Sequence, residues 1–124
     1  MFALERVKEI KGKIDFFVLV KNEVNQYEEV KKQLQKEGNY ESELNTIQTR
    51  LQSMAELQSL PETKCRQLHP KSEKDYEIKT KNLRLYLFHL ENKGRVIVFL
   101  GKKTNQKKDI KRFRSIKKEY LEQL

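Results

Sequence analysis

Apolar positions are densest in the segment from Asp75 to Leu100. Tyr76 to Thr80 is a short β-prone run, Leu83 to Leu90 is rich in branched and aromatic residues, and Val96 to Leu100 is continuously apolar. Runs of this length are typical of strands, and continuous apolar ones are typical of central strands that are covered on both faces. The pattern therefore predicts three successive strands, with the last two in the middle of a sheet.

Two short polar segments separate these three runs. Lys81-Asn82 lies between the first two, and Asn92-Lys93-Gly94 lies between the last two. Asn and Gly tolerate the positive φ that tight hairpin turns require. The turns make each strand antiparallel to the next, so the segment is predicted to be a β-meander that forms the core of the fold.

Upstream of the meander the apolar period changes from two to between three and four, which is typical of helices. The first helix is predicted to be capped by Asn22 and to stop at Gly38, with an apolar stripe of Val24, Tyr27, Val30 and Leu34. The second begins near Asn39 to Ser42 and ends before Ser59-Leu60-Pro61, because the residue before a proline resists helical geometry. Its stripe contains Leu44, Ile47, Leu51, Met54 and Ala55. The two helices form a predicted αα-hairpin.

Such a helical pair could be a helix-turn-helix that reads DNA. A recognition helix should be basic, however, and Gln48 to Gln58 contains only Arg50, with Glu56 against it. The pattern favours a pair that packs its apolar stripes over one face of the sheet, and a partner-binding groove is the alternative.

The two ends of the chain add further elements. Phe2 to Ile10 and Ile14 to Val20 flank a Gly-centred turn and predict a hairpin, with a short helix as the alternative for the first run. Leu60 to Lys74 contains both prolines and is predicted to be a connector with a brief strand at Cys65 to Leu68. The last helix is amphipathic, with Ile110, Phe113, Ile116, Tyr120 and Leu124 on one side. Residues 1–124 are therefore predicted to be one α+β domain. It has an antiparallel-dominated sheet with a meander core, a helical hairpin on one face and a C-terminal amphipathic helix.

The net charge of +9 is distributed unevenly. Residues 1–59 contain nine Lys and Arg against ten Asp and Glu, whereas residues 60–124 contain eighteen against eight. This asymmetry favours a polyanion-binding face, with RNA or DNA ahead of a membrane because no large apolar face accompanies the charge. The alternative is a basic but merely well-solvated surface.

The N-terminal region indicates where the protein acts. Glu5, Arg6, Lys8 and Glu9 stand where a secretory signal would have to be apolar, so a cytoplasmic location is predicted. The apolar run from Phe16 to Val20 is far shorter than the roughly 20 residues that span a bilayer. With a single cysteine, the chain cannot form an internal disulfide.

Three segments of the second half resemble the RelE/HigB superfamily of type II toxin-antitoxin toxins. They are YEIK at Tyr76 to Lys79, LRLYLF at Leu83 to Phe88, and VIVFLGKKTNQKKDI at Val96 to Ile110. The HigB-like, phage-derived branch is the most similar, because its members also run from the last strand into a Lys-Lys-Thr segment and a terminal helix. The resemblance covers roughly the last fifty residues, and the preceding helical pair by architecture only.

The resemblance implies a RelE-like fold and the activity of an mRNA interferase. This is an endoribonuclease that cuts mRNA, often on the ribosome, and is silenced by a cognate antitoxin. It implies no metal, no small-molecule cofactor and no membrane partner, and the sequence has no cluster of His, Cys and carboxylates at metal-ligand spacing. The alternative is a protein of the same fold that binds RNA, the ribosome or a partner without cutting.

The family pattern also assigns roles to residues of this chain. Lys79 falls at the position of a catalytic cation or base, Arg84 at that of a phosphate-binding arginine, and Lys103 at that of a second phosphate-stabilising cation. Family members often carry Tyr, His or Asp after the Lys/Arg loop, and Asp109 is the candidate proton donor there on the condition that desolvation raises its pKa. Beside Lys107, Lys108 and Lys111 it is otherwise expected to stay ionised, and capping of the last helix is its alternative role. Further cations are expected to contact RNA: Lys81, Arg95, Lys102, Lys107, Lys108, Lys111 and Arg112.

Overall fold

Six strands and three α-helices make up the fold. The structure, a computed structural model, describes the backbone of residues 1–124 and every side chain except that of Ser72. The strands are β1 (Phe2–Arg6), β2 (Phe16–Lys21), β3 (Cys65–Gln67), β4 (Asp75–Lys79), β5 (Leu83–Leu90) and β6 (Gly94–Lys102). The helices are α1 (Gln26–Glu37), α2 (Glu41–Ala55) and α3 (Gln106–Glu122). Short 3-10 turns at Lys71–Glu73 and Lys103–Asn105 precede β4 and α3.

The strands form one mixed sheet in the order β1-β2-β6-β5-β4-β3. Every neighbouring pair is antiparallel except β2 and β6, which run parallel with Phe16 opposite Arg95. The predicted meander is confirmed, because β4, β5 and β6 are successive neighbours joined by turns at 80–82 and 91–93. The α+β class and the predominantly antiparallel sheet are confirmed as well.

Helices α1 and α2 cover one face of the sheet, which we call the hairpin face. Tyr27 and Leu34 of α1 and Ile47 and Leu51 of α2 are buried there against the inward side chains of the strands. Those strand residues include Phe16, Ile78, Leu83, Leu85 and Leu87. Complete burial of one such side chain contributes about 1.5 to 3 kcal/mol, so this layer is a main source of stability.

Helix α3 covers the opposite face, which we call the α3 face. Its Phe113, Ile116 and Tyr120 pack on residues of alternate parity in the same strands, among them Tyr86, Phe88 and Val96. In β6 a bulge lets two successive residues face α3, since Tyr86 is opposite Phe99 whereas Leu87 is opposite Ile97. Coverage of both faces explains why β5 and β6 are nearly continuous apolar runs.

Several element boundaries differ from the sequence-based expectation. Asn25, and not Asn22, is the N-cap of α1, and its Oδ1 accepts a hydrogen bond from the amide of Glu28 at 3.0 Å. Asn22 instead lies in a tight turn with a φ of 51°. Gly38 does end α1, with a φ of 79° that glycine adopts without a Cβ clash. Leu124 was expected on the apolar side of α3, but it lies beyond the helix and is 74% exposed.

Among the residues that the structure describes, no helix combines the length and the apolar character needed to cross a lipid bilayer.

Candidate active site at the basic end of the sheet

The turn between β4 and β5 brings two of the predicted site residues together. Lys79 and Arg84 are directly opposite each other in the antiparallel ladder, on the α3 face. Helix α2 holds the turn from the other side: the Glu43 carboxylate accepts hydrogen bonds from the backbone and side-chain amides of Asn82, at 2.7 and 2.9 Å, and from the Thr80 hydroxyl. The turn is therefore fixed by contacts to another element.

The end of β6 brings a third predicted residue to the same place. Leu83 of β5 is opposite Lys102, and the amide of Lys103 donates a 2.8 Å hydrogen bond to the carbonyl of Asn82. Lys103 is exposed and Lys79 is half-buried. We call this part of the sheet, defined by Lys79, Arg84 and Lys103, the basic end. The structure thus places the backbones of all three residues at the same end of the sheet.

Arg84 is the most enclosed of these cations, with 7% of its surface exposed. Its Nη1 donates to the carbonyls of Thr80 and Leu83, at 2.6 and 2.8 Å, which braces the turn from within. Its Nε is buried and has no partner among the described residues. Arg84 therefore has one unused hydrogen-bond donor, and leaving a buried donor without an acceptor costs free energy.

A buried carboxylate lies next to this arginine on the α3 face. Glu77 of β4 has no exposed surface, accepts a hydrogen bond from Arg66 Nε at 2.9 Å, and accepts another from Gln106 Nε2 at 2.7 Å. The Gln106 contact ties the first residue of α3 to the sheet. Tyr86 is directly opposite Glu77, and its hydroxyl is buried without a partner in the described part of the chain. Burial, together with the negative charges of Glu77 and Asp109, raises the pKa of Tyr86, so its phenol stays protonated.

Asp109 sits in the first turn of α3, over the end of β6. It packs on Gly101, where a Cβ would collide with its carboxylate, and Gly101 is directly opposite Arg84. Asn105 occupies the N-cap position, so Asp109 is not the capping residue that one interpretation of the sequence expected. Burial raises the pKa of Asp109, against the lowering effect of Arg112 and Lys108. A proton-donor role for Asp109 was expected only if desolvation raised its pKa, and burial shifts the pKa in that direction.

The remaining predicted RNA contacts divide into two groups. Lys81 in the β4–β5 turn is exposed, as are four residues in the first half of α3: Lys107, Lys108, Lys111 and Arg112. The other two residues are not part of this arrangement. Lys102 pairs with Glu37 at 3.2 Å on the side of the helical hairpin. Arg95 is the second residue of β6, on the hairpin face and roughly 17 Å along the strand from the basic end.

Sequence reasoning missed the residues that support the site, chiefly Glu43, Arg66, Glu77 and Gln106. The signal for Glu77 was present but ambiguous, because Asp75, Glu77 and Lys79 alternate along β4 as they would on a solvated face. Only the position of α3 shows that this face is covered. Among the described residues there is also no group of three or more His, Cys, Asp or Glu side chains arranged to hold a metal ion.

Comparison of the chain with protein-family models, with curated protein sequences and with solved structures finds no match.

Proposed function

We propose that this protein is a RelE/HigB-like toxin, an endoribonuclease that cleaves mRNA without a metal. One observation carries the proposal: a buried arginine with an unpartnered Nε, Arg84, lies directly opposite Lys79 on one side and opposite Gly101, on which the carboxyl group of Asp109 packs, on the other. Lys103 follows at the same edge of the sheet. Cations and a proton carrier are therefore available in one place.

The reaction that this set supports is transesterification of RNA. The ribose 2′-oxygen forms a bond to the adjacent phosphorus while the bond from phosphorus to the 5′-oxygen breaks, which leaves a 2′,3′-cyclic phosphate. The 2′-hydroxyl must lose a proton, the phosphorane needs positive charge, and the leaving 5′-oxygen must gain a proton. By resemblance, Lys79 serves as the cation or base and Arg84 and Lys103 stabilise the phosphorane. Asp109, with its raised pKa, supplies the proton.

The architecture supports the same proposal. The helical hairpin precedes the meander and one amphipathic helix follows it, which is the order of elements that the RelE-like resemblance implies. On this proposal the protein acts in the cytoplasm on mRNA at the ribosome, and a cognate antitoxin silences it. The exposed cations of the β4–β5 turn and of α3 would follow the RNA backbone: Lys81, Lys107, Lys108, Lys111 and Arg112.

A second candidate function is favoured by the enclosure of Arg84. Both hydrogen bonds of its Nη1 go to carbonyls of its own turn, and little of the residue is exposed. In a protein of this fold that binds RNA, the ribosome or a partner without cutting, Arg84 would have only this structural role in the turn and would not need to reach a phosphate.

Induced expression of the protein in a bacterium, without a partner, separates the two functions. The nuclease function predicts growth arrest within about a generation, with new 5′ ends in mRNA that appear as growth stops. Mapping of 5′ ends by sequencing provides the readout. Arrest with unaltered transcripts would support the binding function, and unimpaired growth at high expression would contradict the nuclease function.

A further inference from the structure

A cavity of about 290 Å³ opens on the hairpin face, far from the basic end. The segment after α2 forms one wall through Leu57 and Leu60, and Met54 adds to it. Tyr76 and Arg95 from the sheet line the cavity as well. We call it the Arg95 pocket. Sequence reasoning gave no role to this region apart from Arg95.

The guanidinium of Arg95 is held in place but is not neutralised. Its central carbon stacks over the ring of Tyr76, 4.2 Å from the centroid, which fixes the plane of the guanidinium. Its Nε and Nη1 are buried and have no hydrogen-bond partner among the described residues. Arg95 takes part in none of the ion pairs formed by those residues.

A second residue with an unpartnered nitrogen lies beside Arg95. His89 is directly opposite Arg95 in the β5–β6 ladder, and its Nδ1 is also buried without a partner. The nearby carboxylates are already engaged, since Asp15 pairs with Arg6 and Glu91 with Lys74. The two unpartnered Arg95 nitrogens are hydrogen-bond donors, and a guanidinium without a carboxylate partner at the wall of a cavity is the group that an anion in that cavity would bind.

The chemistry of the walls limits what that anion can be. Arg95 is the only fully charged group among the described residues that line the cavity; the apolar part of the wall is formed by Ile14, Met54, Leu57 and Leu60, and the uncharged polar part by Gln58, Ser59, Cys65 and Gln67. One positive charge matches one negative charge, whereas a phosphate dianion would need further cations. The volume is near the lower limit for small-molecule sites.

We propose that the Arg95 pocket binds a small monocarboxylate with a short apolar tail. The carboxylate accepts hydrogen bonds from the guanidinium of Arg95, and the tail lies against Met54, Leu57 and Leu60. The site is independent of the proposed nuclease activity, because it lies on the other face of the sheet.

Titration of the purified full-length protein with sodium hexanoate tests this proposal. We expect saturable binding with a Kd on the order of 1 mM, which is typical of so few contacting atoms. The signal to follow is the Nε–H resonance of Arg95 in ¹⁵N NMR spectra, which should shift along the titration curve. This readout uses the unmodified protein, so it does not depend on a variant that folds.

Two comparisons sharpen the result. Arg95→Gln should weaken hexanoate binding at least tenfold, while Lys93→Gln, which removes an exposed charge two residues away, should leave it unchanged. Hexanol, which lacks the charge, should bind at least tenfold more weakly than hexanoate. The proposal would be overturned by an unmoved Arg95 resonance, by equal binding to folded Arg95→Gln, or by inorganic phosphate binding as tightly as hexanoate.

Discussion

Buried cations are paired with a carboxylate at one end of the α3 face and are not paired at the other. Beneath the second half of α3, Lys117 is 6% exposed, and its Nζ donates to Asp75 Oδ1 at 2.6 Å and to the carbonyl of Glu73 at 2.7 Å. Arg114 adds a second cation, whose Nε lies 3.4 Å from the same Asp75 carboxylate but makes no hydrogen bond to the described residues. Beneath the first half of the helix, Arg84 takes part in none of the ion pairs formed by the described residues, and its Nε is unpartnered. We call the first arrangement the paired end, in contrast to the basic end.

The difference indicates where to look for function. A buried cation that faces a buried carboxylate, as Lys117 faces Asp75, holds the helix on the sheet. A buried charge that lacks an ion-pair or hydrogen-bond partner raises the free energy of the folded state. Such charges are therefore expected where a ligand or a reacting group supplies the missing partner. We therefore expect the paired end to stabilise the fold and the basic end to take part in the reaction.

The largest expected effect is at the paired end. Lys117→Ala leaves Asp75 buried without its closest cation, and breaking a buried pair in this way costs about 3 to 5 kcal/mol in the free energy of unfolding. Urea unfolding followed by circular dichroism measures the loss. Lys118→Ala removes an exposed neighbouring charge and should change that free energy by no more than about 0.5 kcal/mol. Equal stability of the two variants would contradict a structural role for the pair.

At the basic end we expect a loss of activity that exceeds the loss of stability. Arg84→Ala removes a preorganised charge, which typically costs about 3 to 4 kcal/mol of transition-state stabilisation, a hundred- to a thousand-fold in rate. It should abolish toxicity while the protein still folds. The carbonyls of Thr80 and Leu83 lose a donor, so the stability should fall by only about 1 to 3 kcal/mol.

Arg84→Lys tests whether the shape of the guanidinium matters in addition to its charge. An ammonium group cannot reproduce the planar set of donors, so this variant should rescue toxicity poorly. Growth curves after induction, with circular dichroism of the purified variants, provide the measurement. Full toxicity of Arg84→Lys would mean that a point charge suffices at this position.

How far the fold could be predicted depends on how local each interaction is. The meander was predictable because the apolar runs and the Asn- and Gly-containing turns that join them are adjacent in sequence. The parallel pairing of β2 with β6 was not, since Phe16 and Arg95 are distant in the chain and no turn links them. The cap of α1 was placed three residues early, because Asn22 and Asn25 are equally good capping residues and only the tight turn before the helix distinguishes them.

The same distinction applies to the site. The adjacency of Lys79 and Arg84 was predictable, because the two residues flank one short turn. The burial of Glu77 was not, because it depends on where α3 docks. The position of Asp109 over Gly101 depends on that docking as well, so the raised pKa could be stated from the sequence only as a condition.

A smaller effect is expected in the pH dependence of stability. Burial raises the pKa of Asp109, so the folded state binds its proton more tightly than the unfolded state does. The contribution of Asp109 to the free energy of unfolding should therefore fall as the pH rises above the ordinary carboxyl range of about 4. Asp109→Asn removes this titration.

The comparison to make is between two curves of unfolding free energy against pH. The difference in favour of Asp109→Asn should grow as the pH rises from about 4 and become constant once Asp109 is ionised in the folded state. Parallel curves would show that Asp109 is solvated like an ordinary surface carboxylate, and the proton-donor role would lose its physical basis.

The variant Lys103→Ala tests most directly whether the basic end is the active site. Lys103 is exposed, so its removal should leave the fold unchanged, and Lys71→Ala removes a charge that is also exposed, from the connector, as the matched control. The measurement is the number of newly cut mRNA 5′ ends after induced expression, counted by sequencing. We predict that Lys71→Ala cuts as the parent does and that Lys103→Ala cuts about a hundred-fold less. If folded Lys103→Ala and folded Arg84→Ala both cut mRNA as efficiently as the parent, the basic end is not the active site and the nuclease assignment fails with it.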